Sequence, residues 1–373
     1  MGFDWRAIER ELEEMVGALE ALGFDPEPIE RNARAIARGE IGPHTNRLSE
    51  TPVPADEQHV DRMDAFDRDE REAYTRMGRE AIRSGRVAAA VLNGGMATRF
   101  GGVVKGIVEA VAGRSFLEIK RAQARALGPV PFLVMNSFAT HEATLRYLSE
   151  CHLDAGVHPF LQNVSLRLTP EGELFRTPEG RLSPYAPGHG DFGDALRRAG
   201  LVERLRREGV RWLVLSNVDN LGAELDPLVV GYHLARGKPL TVEVARTVPG
   251  DVGGAPALVC GRLRVVEGFC FPRDFDFQRV PFMNTNTFVM SLELLREPYP
   301  LTWFYVEKSV EGRRAVQMER LVNELSSHVD TAFLATPRSG PQGRFLPTKT
   351  LEDLEALRAD PVLRRRFSAV FGD

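Results

Sequence analysis

A chain of 373 residues, 43% hydrophobic and 27% charged, has the material for a large core and the composition of an ordinary globular protein. Its formal net charge of -4 at pH 7 argues against a nucleic-acid partner bound through a global positive field. No apolar run is long enough to cross a bilayer and the acidic start lacks the order of a signal peptide, so no membrane partner and a cytoplasmic location are expected. Three cysteines, Cys151, Cys260 and Cys270, contain no CxxC pair and read as small core residues rather than a disulfide framework or zinc site.

Residues 5–23 carry Ile8, Leu12, Met15, Val16, Leu19 and Leu22 at helical spacing, with Asp4 as a cap and Gly23 as a stop. A second helix is predicted over 26–38, a crossing loop or linker over 42–57, and a third helix over 69–84, so residues 1–84 read as a helical extension. From 85 onward strands and helices alternate. Strands are predicted at 87–92, 130–136, 211–216, 240–245 and 288–292, with helices at 115–127, 141–151, 192–207 and 227–236. Further strands are predicted at 261–266 and 331–336, and 351–371 reads as mostly helical. The alternation implies an α/β fold with a mainly parallel sheet covered on both faces, a core over 85–300 and a carboxyl-terminal segment over 301–373 that completes the site.

The 87–92 run stops abruptly at Asn93, Gly94 and Gly95, as a strand stops at the sheet edge where α/β proteins bind ligands. Glycines there let backbone amides approach a phosphate, because no Cβ intervenes, so 93–102 is a candidate phosphate loop or a plain tight turn. It has neither the Gly-Lys-Ser/Thr of a Walker loop nor the GxGxxG order of a dinucleotide turn. Arg99 and Lys105 flank it. Each alone reads as solvated loop charge, but together they suit a triphosphate whose charge grows on the leaving oxygen.

Residues 183–191, SPYAPGHGD, set two glycines around His189 before a helix start with Asp191 as its cap, which suggests a sugar or base pressed against backbone. Asn217, Asp219 and Asn220 follow the 211–216 run. A carboxylate there suits Mg²⁺, which takes one or two carboxylates plus phosphate oxygens, in preference to a simple Asx turn. Asn284, Thr285 and Asn286 interrupt an apolar segment; such groups read sugar hydroxyls and equally cap hairpins.

In this order, LNGGMATRFG with Lys105, PFLVMNSF with Thr140, FLQ with Arg167 and Leu168, PGHGD, SNVDNLGA, VEVARTVPGDVGG, MNTNTFVM and PRSGPQGRFLPTKTLEDL resemble the eukaryotic-type UDP-glucose pyrophosphorylase family over 86–354. The resemblance implies a Rossmann-like, GT-A-like nucleotide-diphospho-sugar transferase fold. It also implies Mg²⁺-dependent joining of UTP and a sugar 1-phosphate, glucose 1-phosphate first among them, to give a UDP-sugar and pyrophosphate. Residue by residue, it implies that Gly94, Gly95 and Thr98 cradle the nucleotide beside Asn93, that Arg99 and Lys105 bind phosphate, and that Gln162 reads uracil. Gly188 and His189 match a segment touching nucleotide and sugar phosphate, Asn217 and Asp219 the sugar and Mg²⁺ region, and Asn284 with Asn286 the sugar-hydroxyl reader. Lys308 and Lys349 match basic positions that reach phosphate.

Ala97 and Val104 depart from the family's usual glycine and proline, and no carboxyl-terminal β-helix follows Lys349, so a monomer is expected. The competing expectations are a non-catalytic UDP-sugar-binding or regulatory protein, a UDP-N-acetylhexosamine pyrophosphorylase and a glycosyltransferase. DNLGA favours glucose over N-acetylglucosamine, and no Asp-x-Asp follows the 211–216 run.

Overall fold

A mixed sheet of eight strands forms the centre of the computed structural model, which describes residues 3–97 and 102–372. Its strands are β1 (Asp61–Arg62), β2 (Val87–Leu92), β3 (Phe132–Asn136), β4 (Val157–Leu161), β5 (Trp212–Asn217), β6 (Leu240–Arg246), β7 (Phe282–Ser291) and β8 (Thr331–Ala335). They lie in the order β1-β8-β6-β7-β5-β2-β3-β4, and every pairing is parallel except those of β7, which runs antiparallel to both β6 and β5. The expected mainly parallel α/β sheet is therefore present, with one reversed strand at its middle.

Alternation along β2 explains the two layers. Val87, Ala89 and Val91 join one apolar cluster, with residues of α3 (Arg68–Arg83), α4 (Phe116–Arg125), α8 (Pro227–Arg236), α9 (Leu351–Ala359) and α10 (Pro361–Ser368). Ala88 and Ala90 face the opposite cluster, with α6 (Phe192–Arg198) and α7 (Leu201–Arg207). Backbone meets backbone where α3 crosses α8: a Cβ on Gly78 would fall 1.9 Å from Pro227 O, and one on Gly231 1.8 Å from Tyr74 O. Only glycine permits that approach. Helices α1 (Trp5–Val16) and α2 (Pro26–Ala37) pack apart from the sheet, against 164–182 and a hairpin at 304–319. No described helix is long and apolar enough to cross a membrane.

Several boundaries differ from the sequence-based expectation, each for a local reason. Helix α1 stops at Val16 rather than near Gly23, because Gly17 turns to φ 87 and ends it. The 192–207 helix is two helices broken at Gly200, whose φ is 67. The 288–292 strand is the last half of β7, which begins at Phe282, so the Asn284-Thr285-Asn286 stretch lies inside the sheet and caps no hairpin. Arg262–Val266 is a strand, but it pairs with Ala255–Val259 in a small separate sheet. Cys151 and Cys260 are exposed and only Cys270 is buried, so the expectation of three core cysteines fails for two.

Unanticipated elements share one trait, a pattern that conceals the strand. Strand β4, VHPFL, contains Pro159 and lies at the sheet edge, where a missing donor is tolerated. The 304–319 hairpin groups most of its charged residues near a turn at Glu311 (φ 51) and Gly312 (φ 74) and most of its apolar ones toward the far ends, with no period-2 alternation to mark the strands.

Candidate functional site

Strands β2, β3 and β5 end side by side, and the turns beyond them open a cleft of about 350 Å³. Gly94, Gly95, Lys105, Gln162, Gly188, His189, Asn217 and Asp219 all line it, although up to 125 residues separate them in sequence. Three roomier hollows, one along α3, one beside Trp212 and one beside His158, contain none of the candidate site residues singled out from the sequence. Parallel strands place their loops on one edge, which is why the motifs converge here.

The glycine turn continues into a small hairpin in which Met96 pairs with Val104 and Ala97 with Val103. Thr98 and Arg99, between those pairs, lie outside the described residues. Asn93 faces inward, under the turn: its Nδ2 donates to Asn136 Oδ1 at 2.7 Å and to Thr144 Oγ1 at 3.0 Å, and it is buried. Its amide therefore ties β2 to β3 and α5 (His141–Glu150) instead of reaching into the cleft. Among the described residues nothing lies within 4 Å of a Cβ built on Gly95, whereas one on Gly94 would lie 2.7 Å from Gln162 Oε1. Gly94 thus makes room for the glutamine.

Gln162 is held by its Nε2, which donates to Gly188 O at 2.6 Å. The glycines of PGHGD also press against this chain's own backbone. A Cβ on Gly188 would come 2.4 Å from Arg320 O, and one on Gly190 2.5 Å from Leu321 N. Asp191 stands at the N-cap position of α6, as expected, but its side chain makes no cap hydrogen bond. It is fully buried, accepts from the Asn163 backbone N–H at 2.9 Å and pairs with the Arg320 guanidinium, which also reaches Asp194 at 2.8 Å.

Val322 N–H donates to His189 Nδ1 at 3.0 Å, so the ring proton sits on Nε2. Burial pushes the His189 pKa down to about 4, which keeps the ring a neutral donor at physiological pH. His233, in α8 against Thr241 Oγ1 at 2.8 Å, is likewise pushed down to about 4. Once unfolded, both rings take up protons near the ordinary 6.5, so their contribution is complete above pH 6.5 and is lost as pH falls from 6.5 toward 4. Asp191, which burial pushes up to about 6 against the pull of Arg320, acts in the opposite sense as pH falls through about 6 toward the ordinary 3.8. Stability is therefore expected to fall by about 1 kcal/mol per pH unit per histidine just below pH 6.5. Denaturant midpoints measured from pH 7.5 to 6 check this: His233→Gln should flatten the slope, and an unchanged slope would contradict it.

On the far wall, Lys105 Nζ donates to Asp219 Oδ2 at 2.6 Å and to Thr348 O at 3.1 Å, while Thr348 N–H donates to Asp219 O at 3.2 Å. A bulge in the β6–β7 pairing at Glu243/Val244 and the positive φ of Asn286 (56) turn its side chain so that Nδ2 donates to Asn217 Oδ1 at 2.9 Å. Asn284 Oδ1 accepts from Asn286 N–H at 3.0 Å, completing a row of amides. Lys308 lies on the 304–319 hairpin, half-exposed, with its Nζ 3.5 Å from Glu319, and does not line the cleft. Exposed Lys349 follows Thr348, and its N–H donates to Asp353 Oδ2 at 2.7 Å.

Beneath the Asp219 loop lies a layer that sequence reasoning missed. Lys120 Nζ, fully buried, donates to Ser216 Oγ at 2.9 Å and to Ala223 O, and burial pushes its pKa down to about 7. Arg344 makes two bonds of 2.7 Å to Glu243, and Asn220 bridges to Arg344 O at 3.1 Å and from Leu346 N–H at 2.9 Å. In the sequence Lys120 is one cation in an amphipathic helix, and nothing local marks its burial.

Among the described residues no group of three His, Cys, Asp or Glu side chains could hold a metal by itself. Asp219 is the one acidic side chain on the described cleft wall, and a single carboxylate fits Mg²⁺ that arrives with phosphate oxygens as its other ligands. The described wall holds no nucleophile paired with a base. It offers a cation, a neutral imidazole donor and amides, which suits alignment of two anionic phosphates rather than acid-base chemistry.

Residues 45–366 match the family model described as UTP--glucose-1-phosphate uridylyltransferase. The chain is 30% identical over 303 residues to the probable UTP--glucose-1-phosphate uridylyltransferase of Schizosaccharomyces pombe, covering 74% of this chain and 59% of that protein. It is 28% identical over 291 residues to the Solanum tuberosum UTP--glucose-1-phosphate uridylyltransferase, covering 72% and 60%. This chain thus spans about six tenths of those relatives' length. A crystal structure of a mutant UDP-glucose pyrophosphorylase from Leishmania major in complex with UDP-glucose superposes with a TM-score of 0.71 at 25% identity, covering 88% of this chain and 74% of that one.

Proposed function

The chain belongs to the UTP--glucose-1-phosphate uridylyltransferase family, and from that premise we propose that it joins UTP and glucose 1-phosphate to give UDP-glucose and pyrophosphate. A phosphate oxygen of the sugar phosphate attacks the α-phosphorus of UTP in line; the bond from that phosphorus to the bridging oxygen breaks, and pyrophosphate leaves with the electron pair. No proton need move, since the attacking group is already an anion.

The carrying observation is the meeting of Lys105, Gln162, His189, Asn217 and Asp219 in one cleft at the carboxyl edge of the sheet. In this reading Gly94 and Gly95 bring backbone close to the nucleotide, and Gln162, oriented by Gly188 O, reads the uracil edge. Lys105 neutralises phosphate charge, His189 donates through Nε2, and the amides of Asn217, Asn284 and Asn286 face the sugar hydroxyls. Thr98, Arg99, Lys308 and Lys349 complete the phosphate contacts in the same reading, Lys308 leaving Glu319 to do so. Asp219 is the residue that would hold Mg²⁺, which when bound neutralises phosphate charge. Pyrophosphate release from UTP and a panel of sugar 1-phosphates under Mg²⁺ tests the proposal. Release should be fastest with glucose 1-phosphate, and no release with any sugar would overturn it.

A further inference from the structure

Two groups assigned to different partners, Lys105 to phosphate and Asp219 to a metal ion, hold each other at 2.6 Å. The pair lies on one wall of the cleft, where it joins the segment after β2 to the loop after β5, and both side chains are largely buried, 19% and 13% exposed. Thr348 O steadies the ammonium from below at 3.1 Å.

We propose that the Lys105 ammonium is a built-in stand-in for the metal ion at Asp219, so that metal and triphosphate enter this cleft as a coupled pair and neither enters well alone. A divalent ion arriving alone must take the carboxylate from Lys105 and then sit beside the displaced ammonium. A triphosphate arriving alone gains Lys105 only by leaving Asp219 uncompensated beside anionic oxygens. When both arrive, Asp219 turns to the metal and Lys105 to a phosphate oxygen, and every charge keeps a partner. By linkage the metal tightens the triphosphate by the same factor as the triphosphate tightens the metal, a factor typically about 5–150. The exchange rests on the uridylyl-transfer reading for the identity of the triphosphate, but the Lys105–Asp219 contact itself does not.

Mn²⁺ binding followed by electron paramagnetic resonance on the full chain tests this without turnover. In the absence of nucleotide, Lys105→Met is expected to bind Mn²⁺ about tenfold or more tighter than wild type, and Asp219→Asn in that background to abolish the gain. UTP should tighten Mn²⁺ on wild type far more than on Lys105→Met. Lys105→Gln, which keeps a donor for Thr348 O and removes the charge, should behave as Lys105→Met does and covers the case in which that variant does not fold. Unchanged Mn²⁺ affinity in either folded variant, or a gain that survives Asp219→Asn, would overturn the proposal. A nucleotide-free gain in a protein that releases no pyrophosphate would overturn only the substrate reading.

Discussion

Lys105→Ala is expected to lower kcat/KM for UDP-glucose synthesis by about 10²–10³-fold, the loss typical of removing one group aimed at developing charge. The stability cost should stay near 1–2 kcal/mol, because the Asp219 carboxylate lines a cleft open to water, which replaces the lost bond in part. Steady-state kinetics alongside denaturant unfolding separates the two effects. If activity falls only as far as the folded fraction does, Lys105 is a structural group and its assignment to phosphate fails.

Arg344→Ala is expected to give the largest loss of stability, about 3–5 kcal/mol, since it strands Glu243, a carboxylate only 1% exposed. The guanidinium is 3% exposed and also donates to Glu224 O at 3.0 Å, so its removal loosens the floor under the Asp219 loop. The double variant Arg344→Met with Glu243→Leu should recover a large part of the loss, because neither buried charge then lacks a partner. Denaturant midpoints of the single and double variants decide it. A single variant within 1 kcal/mol of wild type would show that water reaches Glu243.

How much of this was readable in advance depends on where each residue's partner lies. The apolar runs of β2, β3, β5 and β6 and the helical spacing of α2, α3, α5 and α8 depend on neighbours a few positions away, and these elements appear within a few residues of expectation. The family was legible too, because PGHGD, SNVDNLGA and MNTNTFVM occur as short local strings. The backbone contact of the PGHGD glycines was not legible, because it is made to Arg320, about 130 residues on, and a sequence cannot show which distant backbone a glycine admits. Lys120 and Arg344 went unnoticed for the same reason: their partners, Ser216 and Glu243, are about a hundred residues away.

The sequence by itself determined the alternating strands and helices, the turns at the strand ends, and which residue types were available for phosphate and sugar. Periodicity and turn chemistry are local, so composition and spacing carry them. Only the tertiary structure decided that β7 runs backwards, that a bulge and a left-handed Asn286 aim an amide at Asn217, that Asn93 faces inward, and that Lys105 grips Asp219. Those outcomes are set by packing between segments far apart in the chain, where each group takes the partner that the folded neighbourhood leaves for it.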